Sequence, residues 1–172
     1  MATPALGDPN FDRTVVLLLE HTDEGAVGLV LNRPSGTDLD ETGADWDGWD
    51  NLAVEPPVVF VGGPVGRTAV ICVARLGEGG AEGFQPLLGD IGLADMARPP
   101  RGTDAVRLFA GYAGWGGGQL ESEIGEGAWF VVDALPSDAL TDDPEALWAA
   151  VLRRQGGRLA MFAHCPPDAS LN

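Results

Sequence analysis

Residues 14–20 are apolar and β-branched almost throughout, and a second apolar run over 26–31 follows the polar, glycine-ended stretch 21–25. Two such runs joined by a short polar loop predict a β-hairpin. Asn32-Arg33-Pro34 closes the second run, because Pro34 has no N–H for a ladder and biases Arg33 away from helix. Four further strands are predicted over 58–61, 68–76, 106–112 and 127–133, with turns over 77–83 and 99–102. The acidic, glycine-broken stretch 38–49 supports at most a short helix leading into a loop.

Helical spacing occurs twice. After Gly116-Gly117-Gly118, Leu120 and Ile124 stand four apart on one face, with Gly125 as the stop. A longer helix follows Asp142 or Asp143 as cap and Pro144 in the first turn, with Leu147, Trp148, Val151 and Leu152 as its buried stripe before Gly156-Gly157. Strands outnumber helices and come in hairpin order, which favours an α+β fold over a doubly wound one. No internal repeat or linker interrupts the chain, so residues 1–172 read as one domain.

Composition narrows the chemistry. The formal net charge is -16, and the ten basic residues are all arginine. Such a surface repels nucleic-acid phosphates and anionic membranes, so no direct nucleic-acid contact is expected. Lysine-dependent mechanisms (a Walker A loop, a Schiff base, a kinase-type lysine) are excluded outright. The longest apolar run, 15–19, is far short of a membrane span, and residues 1–6 lack the basic and apolar regions of a signal peptide, so a cytoplasmic location is expected. Two cysteines make no disulfide framework, and Cys72 within an apolar run reads as a small core residue.

Candidate catalytic groups are sparse. His21 and His164 are the two histidines; His164 and Cys165 are neighbours that would have to be turned together to act as a dyad. Glu121 and Glu123 flank Ser122 but do not share a helix face. Neither catalytic residues nor a cofactor or metal are expected, and a non-enzymatic role is favoured. The glycine-rich segments point instead to binding. Gly62-Gly63-Pro64 follows a strand, and 111–118 runs from a strand into a helix, whose exposed N–H groups suit an anion or a carbonyl. Asn32 and Arg33 could fork onto a carboxylate or phosphate. Loop bracing and close packing are the competing structural readings of both features.

Four motifs in order, Gly7-Asp8-Pro9-Asn10-Phe11, the run from Gly25 to Pro34, Gly62-Gly63-Pro64-Val65, and Gly111-Tyr112-Ala113-Gly114-Trp115 continuing through Gly118-Gln119-Leu120-Glu121, resemble the AlgH/YqgE family of bacterial proteins over nearly the whole chain. The resemblance implies a branched, largely antiparallel β-sheet partly closed into a small barrel and surrounded by helices. It also implies a further apolar strand ahead of the Asp8-Pro9-Asn10-Phe11 motif. Some members carry a transcriptional-regulator label, although nothing in this chain looks like a helix-turn-helix.

Three roles follow as expectations. The first is a regulatory or ligand-binding protein in which Asn32, Arg33, Gly62, Gly63, Pro64, Tyr112, Trp115, Gln119 and Glu121 surround a small polar or anionic ligand. The second is a metal-assisted hydrolase with Glu121 or Asp8 as base. The third is a protein-interaction module marked by an apolar patch including Trp46, Trp49 or Trp115.

Overall fold

A computed structural model describes residues 1–39, 50–77, 82–96 and 101–165. It contains eight strands, β1 (Val16–Thr22), β2 (Gly25–Val30), β3 (Pro34–Asp38), β4 (Val58–Val61), β5 (Val65–Leu76), β6 (Phe84–Leu88), β7 (Ile91–Ala94) and β8 (Thr103–Gly116), and four helices, α1 (Gln119–Gly125), α2 (Pro136–Ala139), α3 (Pro144–Gln155) and α4 (Gly157–Phe162). The fold is α+β, with a mostly antiparallel sheet nearly closed into a barrel.

The sheet runs β1-β2-β8-β5-β7-β6, and β3 with β4 branches from it. The branch lies on one edge of β8. Near the end of β8, Ala113 to Gly116 pair antiparallel with β2, while earlier on the same strand Phe109 and Ala110 pair parallel with β4. Gly62 carries the chain between these partners, donating to the Ala110 carbonyl at 2.9 Å and accepting from Val30 N–H at 2.8 Å. A side chain does not fit there, because a Cβ on Gly62 would lie 2.3 Å from the Gly111 carbonyl oxygen. Gly111 itself has φ +73°, a conformation that L side chains adopt at a cost.

Strand periodicity buries β8 on both faces. Phe109 belongs to the main core with Phe60, Val73, Trp148 and Leu152, whereas Val106 and Leu108 join Cys72 and Ala74 in a second cluster. Cys72 is therefore the small core residue expected, and burial pushes its thiol up to about 12. On α3, Asp143 accepts from Ala146 N–H at 3.1 Å, Pro144 opens the first turn, and the predicted stripe of Leu147, Trp148, Val151 and Leu152 is buried.

The predicted hairpin forms, and the strands expected at 58–61, 68–76 and 106–112 lie within β4, β5 and β8. Residues 127–133 are not a ladder strand. Gly127 turns the chain at φ +81°, and only Trp129 makes a bridge, to Ala2. The first three residues are their partner: Met1 N and O both bond Phe130 at 2.8 Å, and Thr3 N–H donates to the Ala128 carbonyl. The second strand ends at Val30, ahead of Asn32-Arg33-Pro34 as expected, and Pro34 then opens a short strand at the first strand position, where a missing N–H is tolerated. The β6–β7 hairpin was not predicted, since Pro86, Gly89 and Gly92 interrupt its apolar pattern. Most of the acidic stretch 38–49, with Trp46 and Trp49, lies outside the described residues, as do parts of the two predicted turns.

Candidate functional site

Of the segments expected to converge, the Asn32-Arg33-Pro34 turn and the Gly62-Gly63-Pro64 loop meet, backbone against backbone, but they adjoin Gly111 to Ala113 rather than the run from Gly114 to Glu121. Val61 N–H donates to the Arg33 carbonyl at 2.8 Å, and Gly62 and Gly63 press against Gly111 to Ala113. Their polar groups are engaged within the protein. The buried Asn32 amide accepts from Val15 N–H and donates to the Arg13 carbonyl, both at 2.9 Å, which makes it a brace between β1 and the end of β2. Arg33 donates to the Asp12 carbonyl. The Tyr112 ring packs over Gly66 and Gly114.

The end of β8 and α1 build a second arrangement. Gln119 accepts from Gly116 N–H at 3.1 Å, occupying one of the N–H groups at the glycine-rich entry to α1, and donates to Glu123 at 2.9 Å. The other Glu123 oxygen accepts from both indoles, Trp115 at 2.9 Å and Trp129 at 2.7 Å. Partial burial alone would raise the Glu123 carboxyl. The bonds from Trp129, Gln119 and Trp115 outweigh it and hold the group below the usual carboxylate range. Glu121 faces outward to His21, 2.5 Å away, and is held low first by its own backbone N–H and then by His21.

Beside this network opens an apolar groove of about 270 Å³. Residues 15–18 form one wall and residues 130–134 the other, and Met1, Leu31, Trp115, Leu120, Ile124, Trp129, Asp138 and Val151 complete the lining. Of the expected site residues only Trp115 reaches it. Glu123, Trp129, Leu18 and Val131 were not singled out as site residues, because the walls are distant in sequence and each reads locally as ordinary strand. The signal available was the acidic residue at 123, one turn from Gln119 and flanked by two tryptophans at 115 and 129. Among the described residues no three His, Cys, Asp or Glu side chains converge to hold a metal ion, and no helix is long and apolar enough to cross a membrane.

Fold and groove together define an α+β barrel-like domain organised around one shared strand. The chain belongs to the AlgH-like family DUF179, which it matches over residues 1–160. It is 50% identical over 182 residues to a UPF0301 protein of Streptomyces avermitilis, covering 100% of this chain and 92% of that one. It is 42% identical to a UPF0301 protein of Mycobacteroides abscessus, covering 100% and 85%. The crystal structure of protein DIP2367 from Corynebacterium diphtheriae superposes with a TM-score of 0.87 at 28% identity, covering 96% of this chain and 89% of that one. The solution structure of the AlgH protein from Pseudomonas aeruginosa gives 0.68 at 30% identity, covering 98% and 93%.

Proposed function

We propose that this protein is a non-enzymatic binding protein whose ligand site is the apolar groove, and that any regulatory role is exerted through the ligand held there rather than on DNA. The observation that carries this reading is the contrast between the groove and its surroundings. The groove walls are mainly aliphatic and aromatic, with Asp133 and the Arg154-paired Asp138 at one end, whereas the other polar groups nearby serve the fold: Asn32 braces β1, Glu123 holds two indoles, and Gln119 closes the entry to α1. A pocket of this kind takes apolar matter more readily than an anion. The bases a hydrolase would use are also engaged, Glu121 by His21 and Asp8 by both N–H groups of Asn10 at 2.8 and 2.9 Å. A surface with a net charge of -16 gives no support to phosphate binding.

Titration with the uncharged apolar dye N-phenyl-1-naphthylamine tests the reading, with Trp115 and Trp129 as reporters. Leu18, 43% exposed on one wall, is the residue to change. Leu18→Asp is expected to weaken dye binding by roughly tenfold while leaving the melting temperature near that of the parent. Equal binding by parent and variant would move the site elsewhere.

A further inference from the structure

We infer that the chain pairs with a second copy of itself through an exposed apolar row across β4, β8 and β5 and the β5 bulge beside it. Pairing register sets the row. Val61 on β4 and Val70 on β5 both pair with Ala110, one on each edge of β8, so the three side chains project from one face. That face carries the second apolar cluster, because Cys72 and Leu108 stand one strand repeat along from Val70 and Ala110. Leu39, Leu52, Phe84 and Met96 cover the cluster. The cover stops one row short: Val61 and Val70 are 37% and 45% exposed. An apolar row left open to water across three strands suits burial against another molecule. Beside it, β5 stands out from the sheet. Val65 pairs with Tyr112 and Val70 with Ala110, which leaves Gly66 to Ala69 opposite Gly111 alone. The surplus is pushed outward, and every residue from Pro64 to Val70 is exposed.

Charge decides the occupant. Residues 56–77 and 105–120, which supply these strands, hold no Asp or Glu, although the chain has 26. A basic partner is drawn to the acidic remainder of the surface, and an acidic one is repelled by the net charge of -16. Two copies of this chain approach closely only where carboxylates are absent, and at physiological salt those more than about 8 Å from the contact are largely screened. The face also carries both halves of a two-fold contact. Gly66 turns at φ +57° against the half-buried Tyr112 ring, and the exposed Arg67 follows it. Among the described residues neither the Arg67 guanidinium nor the Tyr112 hydroxyl has a hydrogen-bond partner. Across a two-fold axis, Arg67 of each protomer lies on Tyr112 of the partner subunit, a cation on an aromatic ring, while the two valine rows close on each other. The contact is small, so a dissociation constant of roughly tens of micromolar is expected.

Sedimentation equilibrium of the full chain tests the inference, over about 1 to about 500 μM protein and about 0.05 to about 1 M sodium chloride. The expected result is a monomer–dimer equilibrium that tightens several-fold as salt rises, because the contact is apolar and the remaining repulsion is screened. Loosening with salt would show a contact between opposite charges and overturn the acid-free face. Val70→Asp is expected to abolish the dimer over this range, and Arg67→Glu to weaken it at least tenfold, since each sets like charges against one another across the axis. If Val70→Asp fails to fold, Arg67→Glu, at an exposed side chain without a partner, carries the test alone. A chain that stays monomeric throughout would overturn the self-contact and leave the row to a different protein. A dimer that survives these substitutions would place the contact elsewhere and overturn the face. Leu18→Asp is expected to leave the dimer unchanged while weakening dye binding, so failure here and failure of the groove reading are told apart.

Discussion

The indoles of Trp115 and Trp129 stand edge to face, 5.7 Å between ring centroids and 80° between planes, and both N–H groups end on the same oxygen of Glu123. Both rings are 7% exposed, so neither N–H has ready access to water. Glu123→Ala is expected to destabilise the fold by about 2–4 kcal/mol, since it leaves two buried donors unmade at about 1–3 kcal/mol each. Glu123→Gln keeps an acceptor oxygen and is expected to cost less than half as much. Urea denaturation followed by tryptophan emission separates the two.

The same carboxylate gives the fold an acid dependence of definite sign. Its folded value lies below the ordinary 4.5, so its contribution is present above that pH and is lost as pH falls through the folded value. Stability measured from about pH 6 down to about pH 3 is expected to fall more steeply for the parent than for Glu123→Gln. Parallel curves would show that the carboxylate charge plays no part.

At the other end of the groove, burial lowers the Met1 ammonium from 8.0 to about 6. The unfolded chain then binds more protons between these values, so stability rises as pH increases from 6 to 8. The span corresponds to about 2–3 kcal/mol. With Met1 retained, as checked by intact mass, N-terminal acetylation is expected to flatten that rise. A melting-temperature series across the interval reads it directly.

Arg107 is a cation in an apolar setting. It is 3% exposed, its guanidinium lies 4.3 Å from the centroid of the Phe60 ring, and one nitrogen donates to the Glu55 carbonyl at 2.6 Å. Its other two nitrogens have no hydrogen-bond partner among the described residues, and burial lowers the group to about 10 against the opposing pull of Asp142. Replacing such a group by an apolar side chain of similar length is often neutral or better. Arg107→Met is expected to match or exceed the parent in urea midpoint, whereas Arg107→Ala is expected to lose about 2 kcal/mol or more to the cavity it leaves.

The parts of the fold that were legible are those in which one local pattern decides the outcome. β1 and β2 are apolar runs with a polar turn between them, and α3 has its cap, its proline and its stripe within a dozen residues. What was not legible depends on partners far along the chain. Residues 127–133 have the apolar content of a strand, yet they meet only the first three residues, so a single bridge forms. The close backbone approach at Gly62 and Gly63 was readable from glycine spacing, because glycine marks such approaches. The use of that approach was not. It seals a branch in the sheet, while the groove opens where Val16 and Leu18 face Val131 and Val132, whose proximity no local motif encodes.

Because β8 is the shared partner of β2, β4 and β5, the order of synthesis matters. The seven other strands of the described residues leave the ribosome before β8, and the pairings of β2, β4 and β5 with it are all distant in sequence. Such long-range closure is slow compared with local hairpin formation. Until residue 116 has emerged, the nascent chain carries unpaired strand edges, including the edges of β2 and β4 that β8 later covers. The acidic surface that makes nucleic-acid binding unfavourable has a second use at that stage: like charge keeps neighbouring half-made chains apart until the last strand arrives.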